Sequence, residues 1–243
     1  MTSSETSSDF SDVLEATWPP LARRTVGGWI IREGAGGGKR VSAASQATGS
    51  DEAGSITQAE EEMRALKQDF LFSLKPEDSE LDTKLAQNGY EIIDPTVIYH
   101  VSLKDLGEIE IPPLAAFPIW EPLQIMCDIW QDGGIGPARL AVMERADGPK
   151  TGILGRVNNK PAGAAFVALH GQVAMLHALE ILGDQRRQGL GRHMTLAAAK
   201  WAAEQGATEF ALAVTRANRS ARALYSSLGM RECASYHYRI KPS

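Results

Sequence analysis

The segment from Ile181 to Arg192 constrains the fold more than any other part of the chain. It joins an apolar run, which predicts a strand over Val173 to Leu182, to an amphipathic pattern, which predicts a helix over Leu190 to Gln205. Glycines in the intervening loop, Gly189 among them, allow the backbone to come close to a ligand. The first turn of the helix presents unpaired N–H groups and the positive end of the helix dipole. A strand, loop and helix in this order suit the binding of a pyrophosphate.

The charge distribution supports an anion site in this part of the chain. Residues 184–222 contain seven basic and three acidic side chains, an excess of +4, whereas the whole chain of 243 residues has a formal charge of −5. A basic region in an acidic chain favours a small polyanion over a nucleic acid as the ligand. The alternative is an ordinary strand-to-helix turn beside a solvated basic face. A dinucleotide-binding loop is disfavoured, because its third glycine would stand at Met194.

Other hydrophobic patterns predict a chain that mixes helices and strands. In the C-terminal half we predict strands over Ala138 to Glu144, Thr151 to Val157, Gly163 to Leu169, Phe210 to Val214 and Glu232 to Ile240, and helices over Leu123 to Gln131 and Arg219 to Leu228. In the N-terminal half we predict strands over Gly27 to Arg32 and Tyr90 to Val101, and helices over Ser55 to Ser73 and Leu81 to Leu85.

Two segments rich in glycine or proline separate these elements. The cluster from Gly34 to Lys39 resembles a phosphate-binding loop at first sight. That motif, however, requires glycine at the position of Glu33 and serine or threonine at the position of Arg40, so a flexible hairpin connection is favoured. Four prolines between Gly107 and Pro122 indicate a joint between two parts of the chain.

Composition excludes several classes of protein. No apolar run is long enough to span a bilayer, and the first residues lack the pattern of a signal peptide. We therefore expect a disordered tail over residues 1–14 on a cytoplasmic protein. The two cysteines, Cys127 and Cys233, are isolated, which argues against a disulfide framework or a metal site.

Two motifs in the C-terminal half resemble those of the GNAT acetyltransferase superfamily. Arg186-x-x-Gly189-x-Gly191 resembles the loop whose amides hold the pyrophosphate of coenzyme A in that family. The second motif, one helix and one strand further on, is Asn218-x-x-Ala221-x-x-Leu224-Tyr225-x-x-x-Gly229-Met230, with Met230 in place of the usual phenylalanine. Gly183 stands where many members have proline. The resemblance implies an α/β fold with a central, mostly antiparallel sheet flanked by helices, and an acetyl-CoA-binding domain over residues 115–243.

The same resemblance implies which residues contact the cosubstrate, acetyl-CoA. They are Ile181, Leu182, Arg186, Arg187, Gln188, Gly189, Leu190, Gly191, Arg192, Asn218 and Arg222. Asn218 is also a residue that favours the cap of the helix after it. No metal is expected.

The catalytic residues implied by the resemblance are less uniform. Tyr225 matches the general acid that protonates the sulfur of coenzyme A, although it suits a core aromatic position too. The amide of Ile181 or Leu182 is the expected oxyanion donor. The base is open between His177 and Glu180, because both lie on the strand that leads to the loop. The alternative interpretations are a buried, hydrogen-bonded His177 and a Glu180 that points to solvent.

These observations predict an acetyltransferase that moves an acetyl group to an amine of a small molecule or peptide by direct attack. The alternative is a non-catalytic acyl-CoA-binding or sensory protein. We expect no nucleic acid or membrane partner, and a monomer or homodimer. Residues 15–110 loosely resemble the first, degenerate copy of tandem GNAT proteins, because Leu85-x-x-x-Gly89-Tyr90 resembles the segment around Gly229 and because Trp18-Pro19-Pro20 is similar to the start of such chains. In that case the two half-sheets share a core.

Overall fold

The computed structural model describes residues 10–47, 55–106 and 109–242, which form eight α-helices and eleven strands. The helices are α1 Phe10–Thr17, α2 Lys39–Ser42, α3 Ile56–Ala65, α4 Ser79–Gln87, α5 Gln124–Asp132, α6 Pro137–Arg145, α7 Leu190–Glu204 and α8 Arg219–Ser227. The strands are β1 Ala22–Val26, β2 Trp29–Glu33, β3 Ser45–Gln46, β4 Leu71–Leu74, β5 Glu91–Ser102, β6 Ala116–Ile119, β7 Lys150–Val157, β8 Lys160–His170, β9 Val173–Ile181, β10 Glu209–Thr215 and β11 Arg231–Ile240.

Eight of these strands form one large sheet in the order β4-β11-β5-β10-β9-β8-β7-β6. Neighbouring strands are antiparallel except β9 and β10, which run parallel and are connected by α7. Strands β1, β2 and β3 form a separate small antiparallel sheet. The mixed α/β fold with a mostly antiparallel central sheet is therefore confirmed.

The two halves of the chain exchange a strand in the middle of the large sheet. Each half contains a strand-helix-strand unit, β4-α4-β5 in the first and β10-α8-β11 in the second. The last strand of each unit pairs with the first strand of the other unit, so β11 lies beside β4 and β5 lies beside β10. β5 and β11 also pair with each other. Neither half completes its sheet alone, and the sheet of the C-terminal half depends on β5.

Helices cover both faces of the large sheet. Alternate residues of a strand point to opposite faces, and on β8 Ala165 and Val167 join the core beneath α7 and α8, whereas Phe166 and Ala168 join the core beneath α5 and α6. α1 packs on the second face against β8 and β9. The longest described helix, α7, has 15 residues, and none of the described helices is long and apolar enough to span a bilayer.

One predicted element is wrong in type. Residues 138–144, which we predicted as a strand, belong to the helix α6. This helix begins at Pro137, and proline is favoured at the first helical position. The residues that follow are mostly good helix formers. The alternation of Leu140 and Val142 suggested a strand, but the helix buries Val142 and Met143 side by side.

Two further predictions need correction in the N-terminal half. The helix predicted over Ser55 to Ser73 ends at Ala65, where Gln68 N donates to Met63 O, and Leu71–Leu74 instead pairs with β11. The glycine cluster from Gly34 does not make a simple hairpin, since it leads into α2. The hairpin lies earlier, at the positive-φ pair Gly27 and Gly28 between β1 and β2.

The disordered tail predicted over residues 1–14 is wrong for its last five residues. Residues 10–14 belong to α1, whose Val13 is buried against the large sheet. Residues 1–9 of that predicted tail lie outside the described part of the chain. The predicted joint from Gly107 to Pro122 contains β6, which pairs with β7 at the edge of the sheet.

An ion-pair network links the exchanged strand β11 to α4. The Asp82 carboxylate accepts hydrogen bonds from Arg239 Nε (2.8 Å), Arg239 Nη2 (3.0 Å) and His237 Nε2 (2.8 Å). Arg239 is buried, and its Nη1 also donates to Tyr90 O. The hydrogen bonds from Arg239 lower the pKa of Asp82 from 3.8 to about 2. This network therefore connects a helix of the first half to the last strand of the second.

We predict that Asp82→Asn lowers the free energy of unfolding by about 1–2 kcal/mol at pH 7, because it leaves the buried Arg239 without a counter-ion. A carboxyl whose pKa is depressed by folding stabilises the protein above its unfolded pKa, and that contribution is lost as the pH falls through the folded value. The difference between the variant and the wild type should accordingly shrink between pH 4 and pH 2. Denaturant unfolding across this range measures it, with the exposed Glu80→Gln on the same helix as control. An equal effect of both substitutions would contradict the assignment.

Candidate active site

The parallel strands β9 and β10 separate at their C-terminal ends. Their pairing covers Val173 to Leu176 on β9 and Glu209 to Leu212 on β10, and it stops there, although both strands continue. Beyond that point the backbone groups on the facing edges of the two strands have no partner in the ladder. The result is a wedge-shaped gap in the sheet that opens towards the start of α7.

The backbone of β9 changes direction within this gap. Ala178 has a positive φ of 51°, and the register against β8 shifts between the pairs Ala164–Glu180 and Phe166–His177, which is a β-bulge. After the bulge, Leu182 N donates to Ala162 O at 2.9 Å. Successive amides of a strand point to opposite sides, so the Ile181 amide points towards the gap. Of the two amides that we predicted as oxyanion donors, that of Leu182 therefore donates to β8, whereas that of Ile181 points away from β8.

The loop between β9 and α7 places amides at the mouth of the gap. It begins with a single 3-10 turn, Gly183–Gln185, and residues 186–189 are exposed. The first hydrogen bonds of α7 run from Arg192 N and His193 N to Gly189 O (3.0 and 3.3 Å). The amides of Gly189, Leu190 and Gly191 precede these bonds, so the helix offers them no acceptor. An anion placed there receives several N–H donors and the positive end of the helix dipole.

Two glycines make this loop geometry possible. Gly189 caps α7 in the left-handed conformation, with φ 81°, which strains any residue that has a side chain. Gly191 allows close packing, because a Cβ atom at this position would lie 3.1 Å from Leu224 Cδ2 and 3.4 Å from Ile181 Cδ1. The second glycine thus holds α7 close to both β9 and α8. Leu190, between them, is buried in the core of that face.

The charged residues of the two motifs have different surroundings. Arg187, Gln188 and Arg192 are exposed around the loop. The Arg186 side chain turns back, and its Nε donates to Ile181 O at 2.9 Å, so it supports the end of β9. Arg222 forms an ion pair with Glu232 (2.8 Å). The side chains of Arg186 and Arg222 are therefore both engaged within the protein.

Asn218 caps α8, as predicted, because its Oδ1 accepts a hydrogen bond from Ala221 N at 3.1 Å. This cap fixes the start of the helix that carries Tyr225. The Tyr225 side chain is buried, with 6% of its surface exposed, and its ring lies 5.9 Å from that of Tyr99 on β5. Within the described part of the chain its hydroxyl has no hydrogen-bond partner. Burial, together with the negative charge of Glu180, raises the pKa of Tyr225 to about 12.

Glu180 lies on β9 after the bulge and is partly buried. Its carboxyl packs over the end of α5, since a Cβ atom at Gly133 would lie 2.7 Å from Glu180 Cδ. Burial raises the pKa of Glu180 above its usual value, and the positive charges of Arg186 and Arg139 counteract this shift only in part. The negative charge of Glu180 contributes, after burial, to the raised pKa of Tyr225.

His177 lies in different surroundings. It is 4% exposed, packs between Trp18 and Phe166, and both ring nitrogens are hydrogen-bonded. Thr17 Oγ1 donates to Val13 O (2.7 Å) and so accepts from His177 Nε2 (2.9 Å), which leaves Nδ1 to accept from Arg40 Nη1 (3.1 Å). Burial and the nearby guanidinium of Arg40 lower the pKa of His177 well below 6.5. Its imidazole is neutral and fully engaged.

Sequence reasoning missed two residues that support Tyr225. Tyr99 from the N-terminal half packs on the Tyr225 ring, and its hydroxyl donates to Glu232 Oε1 at 3.1 Å. Glu232 on β11 also binds Arg222, one helical turn before Tyr225. Tyr99 and Glu232 are 133 residues apart in the sequence, and no local pattern indicates that they meet.

Comparison with known proteins agrees with the observed fold. A family model described as the acetyltransferase (GNAT) family matches residues 120–230. No curated protein matches the chain. A solved GCN5-related N-acetyltransferase from Kribbella flavida is similar over 98% of this chain and 96% of its own, with 20% identity and a TM-score of 0.71.

Two further solved structures have the same fold along nearly the whole chain. One is a tandem GNAT protein from the clavulanic acid biosynthesis pathway, with 16% identity, a TM-score of 0.61, and coverage of 94% of this chain and 86% of its own. The other is a putative acetyltransferase from the GNAT family of Novosphingobium aromaticivorans, with 15% identity, a TM-score of 0.58, and coverage of 95% and 97%. Residues 120–230 of this chain are therefore a domain of the GNAT acetyltransferase family, within a chain that shares the fold of these structures along nearly its whole length.

Proposed function

We propose that this protein transfers an acetyl group from acetyl-CoA to an amine of a small molecule or peptide. The observation that carries the proposal is the gap between β9 and β10, with acceptor-free amides at its mouth and a Tyr225 hydroxyl that has no hydrogen-bond partner among the described residues. This arrangement offers an anion site, a channel along a free strand edge, and an acid at one end. Those are the three elements that an acyl-CoA-dependent transfer requires.

The loop residues support the binding of coenzyme A. The amides of Gly189, Leu190 and Gly191 hold the pyrophosphate, and Arg187, Gln188 and Arg192 surround it with polar and positively charged side chains. The free edge of β9 hydrogen-bonds to the pantetheine arm. Arg186 and Arg222 act indirectly in this proposal, because they stabilise the end of β9 and the position of α8.

The transfer follows from the groups around the gap. Glu180 accepts a proton from the attacking amine, and the new C–N bond forms at the acetyl carbon. The Ile181 amide donates to the carbonyl oxygen as negative charge develops there. The C–S bond breaks, and Tyr225 gives its proton to the sulfur. With a pKa of about 12, the resulting tyrosinate readily recovers a proton, which Glu180 supplies through solvent.

Glu180 suits the role of base better than His177. A base needs a lone pair within reach of the acceptor amine, and the Nδ1 lone pair of His177 is occupied by Arg40. Glu180 is partly exposed, and its negative charge contributes to the raised pKa of Tyr225. In this proposal His177 instead fixes the course of β9 just beyond the last residue that pairs with β10.

The topology also supports a duplicated origin for the two halves. The units β4-α4-β5 and β10-α8-β11 have the same order, and the positive-φ residues Gly89 and Gly229 follow the two helices at equivalent places. Residues 15–110 lack the Arg-x-x-Gly-x-Gly loop and the Asn218-type helix motif. We therefore propose that the N-terminal half is a degenerate copy that shapes the acceptor side and does not bind acetyl-CoA at an equivalent loop.

The first prediction concerns acetyl-CoA binding. Gln188→Glu adds a negative charge beside the loop amides without changing the size of the side chain, and we expect it to weaken binding by about 10- to 100-fold because the charge repels the pyrophosphate. The matched control is Gln205→Glu at the opposite end of α7, which should bind acetyl-CoA like the wild type. Calorimetry measures both. Equal affinity of the two variants, or no binding by the wild type, would exclude this cosubstrate site.

A second prediction tests Tyr225 as the acid. Tyr225→Phe keeps the ring that packs on Tyr99 but removes the proton donor, so kcat should fall by about 100-fold while the Kd for acetyl-CoA stays constant. The assay follows release of free thiol with a panel of primary amines. Tyr99→Phe, which alters the neighbouring ring in the same way, should retain most of the activity. A Tyr225→Phe enzyme with unchanged kcat would show that the residue is only part of the core.

A third prediction assigns the base by pH dependence. A base acts in its deprotonated form, so kcat/KM should rise with pH through the pKa of Glu180, which burial places above 4.5. Glu180→Gln should lose this acidic limb and about 100-fold in kcat/KM. His177→Gln should keep the limb, whatever its effect on stability. Loss of the limb in His177→Gln alone would transfer the role to the histidine.

A further inference from the structure

A large cavity lies away from the proposed transfer site, between α1, the small sheet and the strands β4 and β11. Its volume is about 810 Å³, within the usual range for sites that bind small molecules. Both halves of the chain line it, and the residues that matter here are Trp18, Arg40, Ser235, Tyr236 and Tyr238. Glu180, Tyr225 and the loop from Arg186 to Gly191 do not line it. The cavity is therefore distinct from the gap between β9 and β10.

Arg40 brings a positive charge to this cavity. Its Nη1 donates to Nδ1 of His177, and its Nε is buried without a hydrogen-bond partner in the described part of the chain. The Thr17 hydroxyl already donates to Val13 O, so His177 must donate from Nε2 and remain neutral when it accepts from Arg40. The imidazole thus binds the guanidinium without neutralising it.

Carboxylates near the cavity do not compensate Arg40 either. Among the described residues, no Asp or Glu lies within ion-pair distance of its guanidinium. Glu15 is engaged by Arg32 (2.7 Å) and Arg23 (3.3 Å). Asp78 accepts from the backbone amide of Lys75. Arg40 is partly exposed where it lines the cavity, and none of the described carboxylates pairs with it there, so its positive charge is available to an anion.

Aromatic side chains form the surroundings of this charge. The Arg40 guanidinium lies 6.0 Å from the centre of the Trp18 ring. Tyr236 and Tyr238 line the same cavity with their rings 5.5 Å apart. Burial raises the pKa of Tyr238 well above 10, so its hydroxyl stays neutral, and Tyr236 and Tyr238 both lie within hydrogen-bonding reach of Arg40. Such walls suit a flat, apolar body next to the anion.

We propose that this cavity is a second ligand site, which binds a small aromatic carboxylate with its carboxylate on Arg40 and its ring among Trp18, Tyr236 and Tyr238. The ligand supplies a negative charge that none of the described carboxylates brings to Arg40, and its ring replaces water against the aromatic walls. Binding there does not require acetyl-CoA or acetyl transfer, so the site stands whether or not the proposed reaction does.

The test is calorimetry on the full chain with three acids, benzoate, phenylacetate and indole-3-acetate, each beside its neutral amide. At least one acid should bind, and its amide should bind at least about tenfold more weakly, because charge-assisted hydrogen bonds to a guanidinium are stronger than neutral ones. Absence of binding by all three acids at about 1 mM, or equal binding of an acid and its amide, overturns the proposal.

Variants locate the binding. Arg40→Met should weaken the acid at least tenfold, whereas Arg24→Met, outside the cavity, and Gln188→Glu, at the proposed coenzyme A loop, should not. Should Arg40→Met fail to fold, Ser235→Trp fills the cavity without removing the charge and should also abolish binding. Unchanged affinity in a folded Arg40→Met or Ser235→Trp protein overturns the site. Lost affinity in Gln188→Glu alone would show that the acids bind the loop instead, which also overturns it.

Discussion

The course of β10 depends on its pairing with β5. β10 pairs with β5 along all seven of its residues, Glu209 to Thr215, but with β9 along only four. It therefore follows the strand contributed by the N-terminal half and leaves β9 where the bulge at Ala178 turns that strand away. The gap exists because β5 pairs with the opposite edge of β10 and keeps β10 from following β9. A C-terminal half without β5 would have two strands, β10 and β11, with unpaired edges where the fold now has a rigid wall.

The same exchanged strand reaches the proposed acid. Tyr99 of β5 packs on Tyr225 and donates to Glu232, which in turn holds Arg222 on the helix of Tyr225. The burial that raises the pKa of Tyr225 thus depends partly on a residue from the other half. The ion pair between Asp82 and Arg239 stabilises the other exchanged strand, β11, in its place beside β4. The two halves are therefore interdependent at the candidate site as well as in the core.

Features determined by neighbouring residues were predictable from the sequence. The helix after Gly189, the cap at Asn218 and the strand that leads to the loop follow from local periodicity and backbone preference, and the structure confirms them. Features determined by distant contacts were not. Nothing near Tyr90 to Val101 indicates that this strand inserts between β10 and β11. The alternation of Leu140 and Val142 resembled a strand, although these residues belong to a helix that begins at Pro137. The surroundings of His177 come from Thr17 and Arg40, 160 and 137 residues away, so its sequence position alone left both interpretations open.

His177 and Glu180 show that a shifted pKa does not by itself identify a base. Burial favours the neutral form of both, so it lowers the pKa of the histidine and raises that of the carboxyl. A neutral imidazole would ordinarily be the better base at neutral pH, because its lone pair is available. Here the lone pair of His177 accepts from a guanidinium and its proton binds a threonine, so both positions are occupied. The carboxylate of Glu180 is partly exposed, and the positive charges of Arg186 and Arg139 counteract part of the rise in its pKa that burial causes. The proposal that Glu180 is the base therefore depends on which residue of β9 has an accessible lone pair, and not on the direction of a pKa shift.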